Sequence, residues 1–150
     1  MSKPLRTVAP AARDGVNDGA SALKVRVLIL DDSPSDAQLM VDALARVGIA
    51  PEWERVETEA DFAARLAPEL DLILSDYALP QFDGLQALRL ARARGLYVPF
   101  ILISGRIGED IAVEAMREGA DDYVLKDRMA RLGHAALRAL EKKRLRAERQ

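Results

Sequence analysis

Four short apolar runs in this chain each end on polar residues that could do chemistry together: VRVLIL on Asp31 and Asp32, LDLILS on Asp76, PFILI on Ser104, and YVL on Lys126. Three carboxylates, a hydroxyl and an ammonium make a set that suits a divalent metal and a phosphoryl group. Crowded together, Asp31, Asp32 and Asp76 would repel one another and raise at least one pKa unless a cation sits among them. Mg²⁺ is the expected cation, because it prefers oxygen ligands and takes one or two carboxylates plus a phosphate oxygen. A carboxylate can also act as a nucleophile that forms an acyl phosphate, with the metal and a lysine neutralising the transferring group. Lys126 offers a compact point charge for that role, and Ser104 a hydroxyl hydrogen bond to a phosphoryl oxygen.

These residues can converge only if the runs are neighbouring strands. Apolar runs of this kind read as parallel strands buried on both faces, and ligands of open α/β sheets bind beyond the carboxyl ends of the strands. The spacing predicts strands at Val25–Leu30, weakly at Glu52–Val56, then at Leu70–Asp76, Pro99–Ser104 and Tyr123–Lys126. Helices are expected between them. The first follows the cap Ser33-Pro34, carries Ala37, Met40, Val41, Leu44 and Val47 at helical spacing, and stops at Gly48. The others run over Thr58–Leu66, Leu85–Arg94, Glu109–Glu118 and from Met129 to the end. Thr58 and Asp61 stand as a capping box, and Pro80 and Asp83-Gly84 punctuate the loop after Asp76. Five βα units argue a doubly wound five-stranded parallel sheet with five helices and right-handed crossovers.

Composition bounds the rest. The chain has 150 residues, 49% of them apolar, which is enough for one core and one domain. It holds no cysteine, so a disulfide scaffold, a thiolate metal site and a cysteine nucleophile are excluded, and a reducing cytoplasmic setting is expected. With 22 basic and 24 acidic residues the formal charge is −2, so no global field draws it to nucleic acid or to a membrane. No apolar stretch reaches the ~20 residues that span a bilayer. Residues 1–23, rich in Ala, Gly, Pro, Asp and Ser, read as a flexible leader, 24–140 as the domain, and 141–150 as a charged helical tail or linker. On the last helix Met129, Leu132, Ala136, Ala139 and Lys143 form a line expected to pack on the sheet. A second line through Leu137, Leu140, Arg144 and Ala147 is an apolar edge that could serve a homodimer. His134, the one histidine, has no second ligand nearby and reads as structural.

Taken in order, Asp31-Asp32, LILSDYALPQFDGL around Asp76, ILISG around Ser104 and GADDYVLKD around Tyr123 and Lys126 resemble the receiver domains of two-component response regulators. The resemblance covers about Val25 to Leu140. It implies the flavodoxin-like strand order 2-1-3-4-5, which general accounts of doubly wound folds give for receivers themselves. It also implies that Asp76 is the phosphoacceptor, with Lys126 and Ser104 assisting, and that Asp32, Asp76 and the backbone carbonyl of Ala78 bind Mg²⁺ while Asp31 acts through the metal's waters. Ser104 and Tyr123 would be the switch pair. The phosphodonor would be a histidine kinase or a histidine phosphotransfer protein, and the module would catalyse only its own phosphorylation and dephosphorylation. Receivers usually carry proline after the lysine; here Asp127 stands there, and a trans bond is expected because a cis bond before a non-proline residue costs ~3 kcal/mol. Ala78 and Arg106 occupy the positions whose side chains tune hydrolysis in the family. Two other classes stay open: a degenerate receiver that only binds partners, and a haloacid-dehalogenase-like phosphatase, whose D-x-D pattern Asp31-Asp32-Ser33 does not supply.

Overall fold

In the computed structural model, residues 6–7, 22–105 and 108–148 are described. The elements run β1 (Arg6–Thr7), β2 (Leu23–Leu30), α1 (Pro34–Arg46), β3 (Ile49–Val56), α2 (Glu59–Arg65), β4 (Leu72–Asp76), α3 (Gly84–Ala93), β5 (Phe100–Ser104), α4 (Glu109–Arg117), β6 (Asp122–Leu125), a 3-10 turn (Lys126–Arg128) and α5 (Ala130–Glu148). The sheet order is β1-β3-β2-β4-β5-β6. Its five strands from β2 onward are parallel, in the 2-1-3-4-5 order expected.

The strands are apolar throughout because both faces are covered. Along β2, Val27 and Ile29 point to one side with Leu72, Leu74, Ile101 and Ile103, under α1 and α5. Leu28 and Leu30 point to the other with Ile73, Phe100 and Leu102, under α2, α3 and α4. Alternate side chains of a strand leave by opposite faces, so a strand between two helical layers needs apolar residues at every position.

Two expectations need correction. Arg6–Thr7 fall inside the stretch read as a flexible leader, yet they pair antiparallel with Trp53 and Glu52. A two-residue strand has no periodicity to read. Residues 8–21, the bulk of that stretch, lie outside the described residues, as does Arg106. Second, the apolar edge expected on the last helix is open only in part: Leu137 and Leu140 are half-buried, packing against the β2 side of the core while lining a surface groove with Leu23 and Ala147.

Helix α5 crosses α1 at Gly133, and the reason is space. A Cβ there would stand 2.7 Å from Val47 Cγ1 and 2.9 Å from the Ala43 carbonyl oxygen. Gly133→Val should therefore lower stability by about 2–4 kcal/mol despite removing a helical glycine. Urea denaturation checks this; an unchanged midpoint would mean the two helices are not held at this distance.

Candidate functional site

Every strand that carries a site residue delivers it to the same sheet edge. Asp31 and Asp32 follow β2, and the Asp31 N–H donates to the Val56 carbonyl of β3 at 3.0 Å. Asp76 closes β4 opposite Ile103, and Ser104 closes β5 opposite Leu125. Lys126 begins the 3-10 turn directly after β6. Ser33 caps α1, its Oγ accepting from the Asp36 N–H at 3.1 Å, and its own N–H donates to Asp31 Oδ1 at 2.8 Å. The loop after Asp76 is pinned at its far end. Asp83 and Gln86 form a capping box on α3, the Gly84 N–H donates to the Tyr77 carbonyl at 2.9 Å, and the Phe82 ring lies 6.1 Å from that of Phe62.

The three carboxylates come together as expected: one oxygen from each of Asp31, Asp32 and Asp76 lies within 4.8 Å of the others. Asp31 and Asp76 are buried and Asp32 is exposed. Lys126 Nζ stands 3.4 Å from Asp31 Oδ2 and 3.4 Å from Asp76 Oδ2. Asp31 Oδ2 is buried and accepts no hydrogen bond. A buried carboxylate oxygen that carries no hydrogen bond is costly; Lys126 at 3.4 Å offsets this only in part, and a divalent cation bound there would offset it further. The donor set is all oxygen, and it fits a hard divalent cation. The Ala78 N–H donates to the Asp76 carboxylate, which places Ala78 against the acceptor. Ser104 is buried at the same edge, whereas Tyr123 is half-buried and packs against the α3–α4 side of the core. The bond from Lys126 to Asp127 is trans, as expected.

Two residues here escaped the sequence reading. Asp36, in the first turn of α1, accepts from Lys126 Nζ at 2.6 Å, closer than either site aspartate. Arg55, near the end of β3, donates to the Asp31 carbonyl at 3.1 Å and fixes the turn between β2 and α1. For Asp36 the cap at Ser33 was the available signal, since it places the third helical residue beside the end of β2.

Burial, together with the neighbouring Asp76 charge, pushes the Asp31 carboxyl from 3.8 up to about 6, against the Ser33 N–H and Lys126. Burial also raises Asp76, although Lys126 and the Ala78 N–H oppose it. At Lys126 burial disfavours the ammonium, but the bond to Asp36 and the charges of Asp31 and Asp76 more than offset this, and its pKa is raised. The sign for stability follows from Asp31. Between about pH 4 and pH 6 Asp31 holds a proton in the folded metal-free chain that it loses in the unfolded one, so its own contribution to stability should fall as pH rises through that window. Asp31→Asn should flatten this dependence and stabilise the metal-free fold at pH 7 by about 1–3 kcal/mol. Thermal melts across that pH range decide it; an unaltered slope in the variant would show that Asp31 carries no such charge penalty.

Against this geometry the family model for the response regulator receiver domain matches residues 27–138. This chain belongs to the response regulator receiver family. Among curated proteins it is 39% identical over 112 residues to a protein-glutamate methylesterase/protein-glutamine glutaminase of Rhodopseudomonas palustris, covering 71% of this chain and 30% of that protein. It is 28% identical over 120 residues to the transcriptional regulatory protein QseB of Haemophilus influenzae, covering 80% of this chain and 54% of that one. The chain thus spans about half the length of QseB and under a third of the methylesterase. Among solved structures, the receiver domain of a putative LuxO repressor from Vibrio parahaemolyticus superposes with a TM-score of 0.75 at 25% identity, covering 85% of this chain and 98% of that one. The receiver domain of NarL from Mycobacterium tuberculosis gives 0.65 at 28% identity over 79% of this chain and 98% of its own. The receiver's role in two-component signalling comes with the family. Among the described residues, no helix is long and apolar enough to cross a membrane.

Proposed function

We propose that this receiver is an active phosphoacceptor, taking a phosphoryl group on Asp76 from the phosphohistidine of a histidine kinase or a histidine phosphotransfer protein. One observation carries the reading: the buried Asp76 carboxylate lies between a carboxylate pair suited to a divalent cation and an ammonium 3.4 Å away. In the transfer an Asp76 oxygen attacks phosphorus, the bond from phosphorus to the donor imidazole breaks, and its electron pair leaves with the imidazole nitrogen. Bound Mg²⁺ would supply charge neutralisation for the transferring group. Asp32, Asp76 and the Ala78 carbonyl would hold it directly, with Asp31 acting through its waters.

The remaining work belongs to this chain's own side chains. Lys126 places an N–H on a phosphoryl oxygen and offsets the charge gained by Asp76. The Ser104 hydroxyl donates to another phosphoryl oxygen, and its movement frees space toward which the half-buried Tyr123 ring can turn. The chemistry is self-catalysed phosphorylation and dephosphorylation rather than turnover of an external substrate. The setting read for it is the cytoplasm, with no membrane and no direct nucleic-acid contact. Self-association through α5 is the weaker part of the reading, because Leu137 and Leu140 are already half-buried against the core.

A partner-binding receiver without phosphoryl chemistry has less support, since Asp31, Asp32, Asp76, Ser104 and Lys126 all reach one edge. A haloacid-dehalogenase-like phosphatase has less still, because the candidate nucleophile closes β4 rather than following β2. Incubation with a small acyl phosphate and Mg²⁺, followed by intact-mass measurement, tests the proposal. One added phosphoryl group, lost when Mg²⁺ is withheld, is the expected result; no added mass, or steady turnover of the donor without a labelled protein, would overturn it.

A further inference from the structure

Lys126 has three N–H donors and three carboxylates around it, and it is not shared evenly. Its bond to Asp36 is 2.6 Å, while Asp31 Oδ2 and Asp76 Oδ2 each stand at 3.4 Å. An ammonium free to choose would settle between the two buried carboxylates, where charge is least solvated and attraction strongest. It is held back instead. Asp36 can do this because its backbone is fixed: it is the third residue of α1, its N–H bonded to the Ser33 cap, with Pro34 opening the helix. Lys126 lies 90 residues away in sequence, so only the fold makes the pair.

We propose that Asp36 is a positioning residue for Lys126: it tethers the ammonium at the rim of the Asp31–Asp76 pair and keeps that pair open to a divalent cation. The inference rests on the phosphoacceptor reading of the same site. One donor stays committed to Asp36, and the other two remain loosely held and available to a phosphoryl group on Asp76. Without the tether, Lys126 closes onto Asp31 and Asp76 and competes with the metal for Asp76 and with the metal's waters for Asp31.

The test is a double-mutant cycle read by Mg²⁺ titration of intrinsic fluorescence, for which no phosphodonor is needed. Asp36→Asn keeps the side-chain shape and should weaken Mg²⁺ binding about tenfold, the scale typical of groups that orient ligands from behind. Losing a nearby negative charge would also weaken binding, so the same change is made in a Lys126→Met background. There the effect of Asp36→Asn should shrink to about twofold or less, because no ammonium remains to close the site. Equal losses in both backgrounds would mean that Asp36 contributes only charge, and unaltered binding in Asp36→Asn would mean that it contributes nothing; either result overturns the proposal. Phosphoryl uptake by the unmutated chain separates the two readings. Uptake without coupling leaves the phosphoacceptor standing and removes the tether, coupling without uptake does the reverse, and a chain that binds no Mg²⁺ defeats both.

Discussion

Asp76→Asn should take up no phosphoryl group from an acyl phosphate in the presence of Mg²⁺, while the unmutated chain gains one. The loss should be complete, because the amide oxygen is neutral and weakly nucleophilic, and Asp31, the other carboxylate 3.4 Å from Lys126, has one oxygen held by the Ser33 N–H. A second measurement distinguishes lost chemistry from lost structure. Burial raises the Asp76 pKa, so the charged side chain weighs against the metal-free fold near neutral pH. The neutral variant should therefore melt no lower than the unmutated chain in the absence of metal. Labelling of the variant at a hydroxylamine-sensitive acyl phosphate would move the acceptor to another carboxylate, and a lower melting point would show that the Asp76 charge supports the fold.

The second large effect is expected at Gly84, which opens α3 directly beneath the acceptor. A Cβ there would overlap Leu102 Cδ1 and come within 2.8 Å of the Asp76 carbonyl oxygen. The leucine can rotate away, but the carbonyl belongs to the backbone that presents the acceptor. Gly84→Ala should cost about 2 kcal/mol and displace the Asp76 loop, so Mg²⁺ affinity should fall even in molecules that remain folded. Denaturation midpoints and a Mg²⁺ titration report the two parts separately. Full stability and full affinity together would mean that the loop does not depend on this close approach.

Much of the sheet was legible because strands covered on both faces must be apolar at every position, and such runs stand out against helices of mixed polarity. The site was legible for a related reason: each run stops where the strand leaves the core, so the polar residue after it marks the sheet edge. Boundaries slipped where side chains imitate other structure. The weak strand is expected from Glu52, yet it begins at Ile49 and Pro51 sits within it beside Val25. Leu70 and Asp71 read as strand, but Asp71 ends the preceding loop by accepting the Arg26 N–H at 2.9 Å. Asp36 was hidden because its meaning comes from Lys126, and no local pattern announces a contact across that much of the chain. The partial burial of Leu137 and Leu140 was hidden likewise, since a helical wheel gives two apolar lines without saying how much of the helix the sheet covers.

The last helix is fastened in two different ways along its length. Its first half is held mainly by close packing, through Leu132, Gly133, Ala135, Ala136 and Ala139, with Arg131 and Arg138 pairing to Asp122 on its exposed face. Its second half is held by charge, with Lys142 facing Asp121 at 3.6 Å and Lys143 bonded to Asp71 at 3.3 Å and to the Leu70 carbonyl at 3.4 Å. Packing is indifferent to ionic strength, and exposed ion pairs are not. Amide hydrogen exchange along α5 should therefore divide near Leu140, with protection before it, where packing outweighs the Asp122 pairs, little moved by salt and protection after it declining as salt rises. The helix is then one continuous rod in shape and two segments in energy, and the ionic strength of the surroundings sets where its firm part ends.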